Sequence, residues 1–291
     1  MVPRRLYSWK AAAALLVLCG VASPGLNAAP ISFTGNVPTD FSQTNTSVVT
    51  TPVSSNPLTI GQSDWITNRG WVSGWSIQDI RTSYDATTDT LYVGVNTFKN
   101  ASGQYAPFGQ ANGDPTGAPT PYDPAHLGGD KSFAFAIAGI NATSPSQPGT
   151  PQMIAGIPAD KTAAGSGIDG FTVAQYDPSK ASAGLAYQFG KSLPQSAGNL
   201  AFDPSPSHPQ LEFTIKNFSK IPGIDPSAGY WISAYAGSSL DGVAGEAYLS
   251  WSKIPASSQQ NIPEPTTWMA WALATSGLAA LRFRSRQRPL A

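Results

Sequence analysis

Four side chains in one Gly- and Pro-rich stretch carry oxygens suited to a hard cation: Asn112, Asp114, Asp123 and Asp130. Calcium takes about six to eight oxygen ligands from carboxylates, amides and backbone carbonyls, and glycines such as Gly113, Gly128 and Gly129 permit the sharp turns that gather them. These four residues are the candidate calcium ligands, and calcium is the one cofactor the sequence suggests. The same residues have a second use, because Asp and Asn side chains also bond the backbone two residues on and close turns.

The second chemistry is aromatic stacking. The chain has 8 tryptophans, and Trp65, Trp71, Trp75, Trp231 and Trp251 fall between its two ends. Sugar rings stack on exposed aromatic faces, so a flat cluster on a β-sandwich is a carbohydrate-binding arrangement. Trp65, Trp71 and Trp75 are the candidate glycan contacts, whereas Trp231 and Trp251 are expected in the core.

Groups for catalysis are sparse. The 2 histidines, His126 and His208, lie in Pro-containing loops with no second ligand at helical or hairpin spacing, and read as solvated loop residues. The sequence holds no Gly-Xaa-Ser-Xaa-Gly elbow, no phosphate-binding loop with lysine and no His-Glu-Xaa-Xaa-His. Glycoside hydrolysis needs two carboxyl groups, one with a raised pKa. Between the two ends the glutamates are Glu212 and Glu246, and strand alternation puts Glu212 toward solvent. Asp85, Asp89, Asp177, Asp203 and Asp225 stand in turn contexts, where the carboxylate bonds backbone N–H groups. The chain therefore reads as non-catalytic.

Strands must position these residues. Segment 90–98 puts Leu91, Val93 and Val95 on one face and Tyr92, Gly94 and Asn96 on the other, the period of a half-buried strand. With 76–84 and the polar turn at 85–89 it predicts a hairpin. Segment 132–138 alternates Phe133, Phe135 and Ile137 with small residues, giving one bulky face and one flat one. Further strands are expected at 170–176, 185–189, 211–215, 230–236 and 246–251, and two long insertions at 100–130 and 141–169. No stretch between the ends has sustained helical periodicity with caps. The expected fold is mainly β: an antiparallel β-sandwich, jelly-roll or immunoglobulin-like, over 57–254, preceded by an extended leader or edge strand at 29–56. The order of a Leu-Tyr-Val strand, a Phe-Ala-Phe-Ala strand and a late Glu-Phe-Thr-Ile strand is loosely similar to sugar-binding jelly-roll modules.

The two ends carry handling information. Arg4, Arg5 and Lys10 precede an apolar run at 11–22 and then Ser23-Pro24-Gly25, a secretory signal helix over 1–28 with cleavage near Ala28 or Ala29. Leu18 before Cys19 fits a lipobox poorly, and loss of Cys19 with the signal leaves no cysteine in the mature chain. At the other end a polar linker at 255–262 leads to Pro263-Glu264-Pro265, an apolar helix at 266–281 and a cluster of Arg282, Arg284, Arg286 and Arg288. The core of that helix, 268–281, rises about 21 Å, which is short for a bilayer of about 30 Å and suits a transient transmembrane span. Trp268 and Trp271 suit the far interface, and the arginines hold the C-terminus in the cytoplasm.

This order of Pro-Glu-Pro, short apolar helix and basic cluster over 263–288 resembles the PEP-CTERM sorting signal of exported proteins of Gram-negative bacteria. The resemblance implies recognition by an exosortase, with cleavage near Pro263-Glu264-Pro265, passage through an inner-membrane intermediate, and a destination at the cell surface or in the extracellular matrix. It also implies contact with extracellular polysaccharide. The segment 98–115 looks like the Asp- and Gly-rich loop of some PEP-CTERM ectodomains, except that Gln110 and Asn112 stand where carboxylates are expected.

Charge agrees with this topology. The formal charge of the whole chain is zero, yet residues 30–262 hold 10 Lys and Arg against 16 Asp and Glu, a net of −6. Such a surface gives no electrostatic footprint for nucleic acid. The sequence thus leads to a non-catalytic exported surface or matrix protein. The alternative is a surface carbohydrate-binding module, and a polysaccharide-active enzyme stands third.

Overall fold

Phe213 shows how the fold is assembled. It is fully buried on a strand of one sheet, and its ring meets Phe133 and Phe135 of the other sheet edge-on, with centroids 6.0 and 5.8 Å away. The computed structural model describes residues 31–56, 64–117, 127, 131–158, 170–180, 188–201, 205–238 and 247–256. They belong to one compact unit, Ala28–Gln259. The signal segment, the sorting motif Pro263, Glu264 and Pro265, the 266–281 helix and Arg282, Arg284, Arg286 and Arg288 lie outside the described residues, as do Asp123, His126 and Asp130. Among the described residues no helix is long and apolar enough to cross a membrane.

The strands are β1 (Val49–Pro52), β2 (Ile77–Asp85), β3 (Thr90–Thr97), β4 (Lys131–Ile140), β5 (Pro148–Ile157), β6 (Thr172–Tyr176), β7 (Phe189–Ser192), β8 (Ala197–Ala201), β9 (Leu211–Lys216), β10 (Tyr230–Ser238) and β11 (Ala247–Ile254). Two single-turn helices, α1 (Val37–Asp40) and α2 (Asp64–Thr67), lie outside the sheets. Sheet I has the order β1-β2-β3-β9-β8 and sheet II the order β11-β10-β4-β5-β6-β7, and every pairing is antiparallel. The chain passes between the sheets after β3, β7 and β9. Leu91, Val93, Val95, Leu211, Phe213 and Ile215 of sheet I share one core with Phe133, Phe135, Ile137, Met153, Ala155 and Ile232 of sheet II. The molecule is therefore a two-sheet antiparallel β-sandwich.

The expected hairpin is present. β2 and β3 pair from Asp85↔Thr90 to Ile77↔Thr97. Its turn is fixed by Asp89, at φ 49°, whose carboxylate accepts from the Tyr84 hydroxyl and from the Ser219 N–H and hydroxyl. The Tyr84 hydroxyl is held well above its usual range by burial and by the Asp89 carboxylate. Asp85, Asp177 and Asp225 each accept the N–H two residues on, as their turn contexts predict.

Two expectations are corrected here. The stretch 141–169 is not merely an insertion: β5 runs through it and lies in the middle of sheet II, between β4 and β6. Only Met153–Ile157 alternates regularly. Pro148, Gly149 and Pro151 sit where the β4–β5 register slips, and they hide the strand from a pattern reading. The first part of the 100–130 insertion also belongs to the body, because Phe108 is buried between Trp75 and Phe133, at 5.6 and 5.7 Å. Its backbone is tied down by Phe108 N–H to Pro209 O and by Gly74 N–H to Gln110 O.

The cross-sheet aromatic cluster gives a measurable consequence. Phe213→Ala is expected to cost about 3–5 kcal/mol, as a large cavity opens among Phe133, Phe135 and Phe171. Denaturant unfolding should show an earlier midpoint with an unchanged slope; a cost below about 1 kcal/mol would contradict a core shared by the two sheets.

Candidate functional site

The segment 64–75 winds tightly enough to sort its three tryptophans. After the single turn of α2, Asn68 N–H bonds Asp64 O, Gly70 N–H bonds Thr67 O, and both Arg69 and Trp71 N–H bond Ile66 O. Ile66 points inward and is 1 % exposed, which leaves Trp65 outside. Positions 65 and 69 lie one helical turn apart on the same side. Trp65 and Trp71 meet edge-on, with centroids 5.4 Å apart and planes at 75°. The Arg69 guanidinium carbon lies 4.0 Å from the Trp65 ring centroid and 5.7 Å from that of Trp71, a cation–π arrangement. Arg69 Nη1 also donates to the Trp65 carbonyl at 3.0 Å.

Trp65 is 43 % exposed, the one large apolar side chain so placed among the described residues. Trp71 is half-buried. Trp75 does not join them: it is 2 % exposed and packs on Phe108 in the core, so its ring cannot receive a ligand. The candidate glycan trio is thereby reduced to Trp65 and Trp71, with Arg69 as a member that an aromatic search overlooks. The i, i+4 spacing of Trp65 and Arg69 was the available signal. Trp231 and Trp251 are also displaced from expectation. Trp231 alternates with the inward-facing Tyr230 and Ile232 and is half-buried on the outer side of sheet II, and Trp251 packs on the small outer cluster containing Ala134, Ala136 and Tyr235.

At the proposed calcium site the described oxygens are engaged in turns. Asn112 Oδ1 accepts from Gln110 Nε2 at 2.6 Å and from Asp114 N–H at 2.9 Å. Asp114 Oδ1 accepts from the N–H and hydroxyl of Thr116. Among the described residues no three metal-ligating side chains come together. Of the four candidate ligands, Asn112 and Asp114 serve the loop's own folding, while Asp123 and Asp130 lie outside the described residues.

A polar row that the sequence did not reveal crosses the outer face of sheet I, and 33–41 lies over it as a strap. Asp79 and Arg81 come from β2, Asn96 from β3, Glu212 from β9, and Gln210 from the residue just before it. Arg81 Nε bonds Asp79 Oδ1 at 2.9 Å, and Arg81 Nη1 bonds Phe41 O at 2.9 Å. Asn96 Nδ2 donates to Asp79 Oδ2 at 2.6 Å, and Gln210 Nε2 donates to Asn96 Oδ1 at 2.8 Å. Gln210 Oε1 then accepts Val37 N–H, and Glu212 Oε2 accepts Gly35 N–H, both at 2.7 Å. His208 is exposed but not idle, donating from Nδ1 to Thr34 O at 2.6 Å. Gly94 leaves the space for the strap: a Cβ there would fall 2.7 Å from the Phe41 ring.

Glu212 is therefore not solvent-facing. Alternation along β9 does turn it to the outer face, but the strap covers that face and leaves the side chain 0 % exposed. Its Oε1 makes no hydrogen bond. Burial pushes its carboxyl up to about 8; the Gly35 N–H pulls against this, and the Asp40 carboxylate on the strap adds to it. A raised acid beside a second carboxyl group is the pairing that glycoside hydrolysis uses. Here the acid is sealed beneath Gly35, out of reach of a sugar, and its evident work is to hold the strap.

A carboxyl raised in the folded state keeps its proton while the unfolded chain, with an ordinary value near 4.5, has lost it. Stability should then fall as pH rises from about 4.5 to 8, by up to about 1.4 kcal/mol per pH unit, and level off above. Glu212→Gln keeps an acceptor for Gly35 and cannot ionise, so its stability profile should be flatter in that window; identical profiles for the two proteins would contradict the assignment. Comparison of the chain with family models, with curated proteins and with solved structures finds no match.

Proposed function

We propose that this chain is an exported, non-catalytic β-sandwich protein of the cell surface or extracellular matrix that touches extracellular polysaccharide through Trp65 and Trp71. The observation that carries the reading is the exposed corner made by these two rings, with Trp65 43 % exposed on a molecule whose other large apolar side chains are covered among the described residues. An indole left 43 % exposed forgoes part of its burial, on the order of 1 kcal/mol, a cost that a stacking ligand recovers. The carboxyl groups of the polar row support the non-catalytic reading, since Glu212 and Asp79 are buried and engaged in holding the strap and Arg81.

Delivery follows from the two ends of the chain. The 1–28 signal takes the unit across the inner membrane, and the 263–288 tail, through Pro263-Glu264-Pro265 and the four arginines, presents it to an exosortase. The net acidity of residues 30–262 suits an exported protein with no nucleic-acid partner.

Two measurements test this. The Ala28–Gln259 unit should be retained on at least one member of a polysaccharide panel, with Trp65→Ala and Trp71→Ala each weakening retention about tenfold while the variants stay folded at the assay temperature. Retention by no polysaccharide would reject the contact and leave a purely structural matrix role. The mass of the native C-terminus reports on sorting: a protein still ending at Ala291 would reject exosortase processing.

A further inference from the structure

Arg69 is the part of the corner that stacking alone does not explain. A guanidinium offers five N–H donors in a flat fork. The bond from Nη1 to the Trp65 carbonyl uses one of them and fixes the group against the indole. Among the described residues the one ion pair is Arg81–Asp79, on the outer face of sheet I, so Arg69 carries its charge without a carboxylate. Asp64, exposed at the start of α2, does not pair with it.

That unpaired charge sets a preference among sugars. A neutral pyranose settling into the corner displaces water from the guanidinium and returns only hydroxyl contacts, which leaves the charge poorly compensated. A sugar bearing a carboxylate compensates it, with the fork and the carboxylate matched in shape. Residues 30–262 are net −6, so a polyanion gains nothing from the surface at large and selection falls on this local group.

Resting on the reading of Trp65 and Trp71 as the glycan contact, we propose that the corner recognises uronic-acid-containing polysaccharide, with Arg69, whose guanidinium covers one side of the Trp65 ring, binding the sugar carboxylate while the sugar packs on the indole surface left exposed. Arg69 is then the residue that decides between acidic and neutral polymers, and the tryptophans supply affinity common to both.

The test compares binding of the Ala28–Gln259 unit to polygalacturonate and to its fully methyl-esterified form, which keeps the ring and removes the charge. The wild-type unit should bind the acid form about tenfold more tightly, the worth of one charge-assisted hydrogen-bonded pair. Arg69→Gln should abolish that difference. Arg69→Lys should keep part of the preference, and Trp65→Ala should weaken binding to both forms. Arg69 is exposed, so the melting temperatures of its variants should match the wild type. Equal binding of acid and ester by the wild type, or a preference that survives Arg69→Gln, overturns the proposal and leaves the stacking contact standing. Retention on neutral polysaccharides with none on polygalacturonate also overturns it, whereas retention on no polysaccharide removes the reading beneath it.

Discussion

The hydrogen bond from Gly35 N–H to Glu212 is the constraint around which sheet I is arranged. A buried carboxylate is costly, and the protein meets that cost by keeping the group neutral and bonded. The bond requires backbone close to the sheet, and Gly35, at φ +74° and pressed against His208, is a residue that can take that path. Once Gly35 is seated, Val37 N–H reaches Gln210, Phe41 drops over Gly94, and Arg81 finds the Phe41 carbonyl. A face that would otherwise meet water becomes a second interior, polar where the first is aromatic.

This arrangement explains which parts of the fold were legible in the sequence. The β2–β3 hairpin and β9 could be read because alternation and turn chemistry agree there, as in Leu91, Val93 and Val95 and in the Asp85–Asp89 turn. The inward face follows from such a pattern. The environment of the outward face does not, because it depends on a remote segment: 31–47 reads as a polar leader, and nothing in its composition says that it lies on the sheet. Glu212 was misplaced for that reason. β5 and β8 were missed for a local one, since Pro148, Gly149 and Pro151 in one and Gly198 and Asn199 in the other interrupt the periodicity that identifies a strand.

The candidate site was legible in part for a related reason. Spacing brought Trp65, Trp71 and Trp75 to notice, but exposure depends on where the turns point each ring. Ile66 turns Trp65 outward, whereas the loop carrying Phe108 closes over Trp75. Likewise, Asn112 and Asp114 have the right atoms for a cation, and their local bonds use those atoms to shape the loop. Residue type alone does not decide between a ligand and a turn.

The pairing order has a consequence for how the chain is made. Sheet II builds largely from neighbours in sequence, β4 to β5 to β6 to β7, so its pairings close far shorter stretches of chain than the pairing of β3 with β9. β3 and β9 are far apart: Thr90 pairs with Lys216 and Val95 with Leu211. A chain delivered from its N-terminus therefore presents the β2–β3 hairpin with one edge open until residue 216 has emerged, and high contact order makes that closure slow. Over that interval β3 shows bare N–H and C=O groups, a template for pairing with another copy. Glycine at position 94, in the middle of this waiting strand, weakens that template by lowering its strand propensity until β9 arrives.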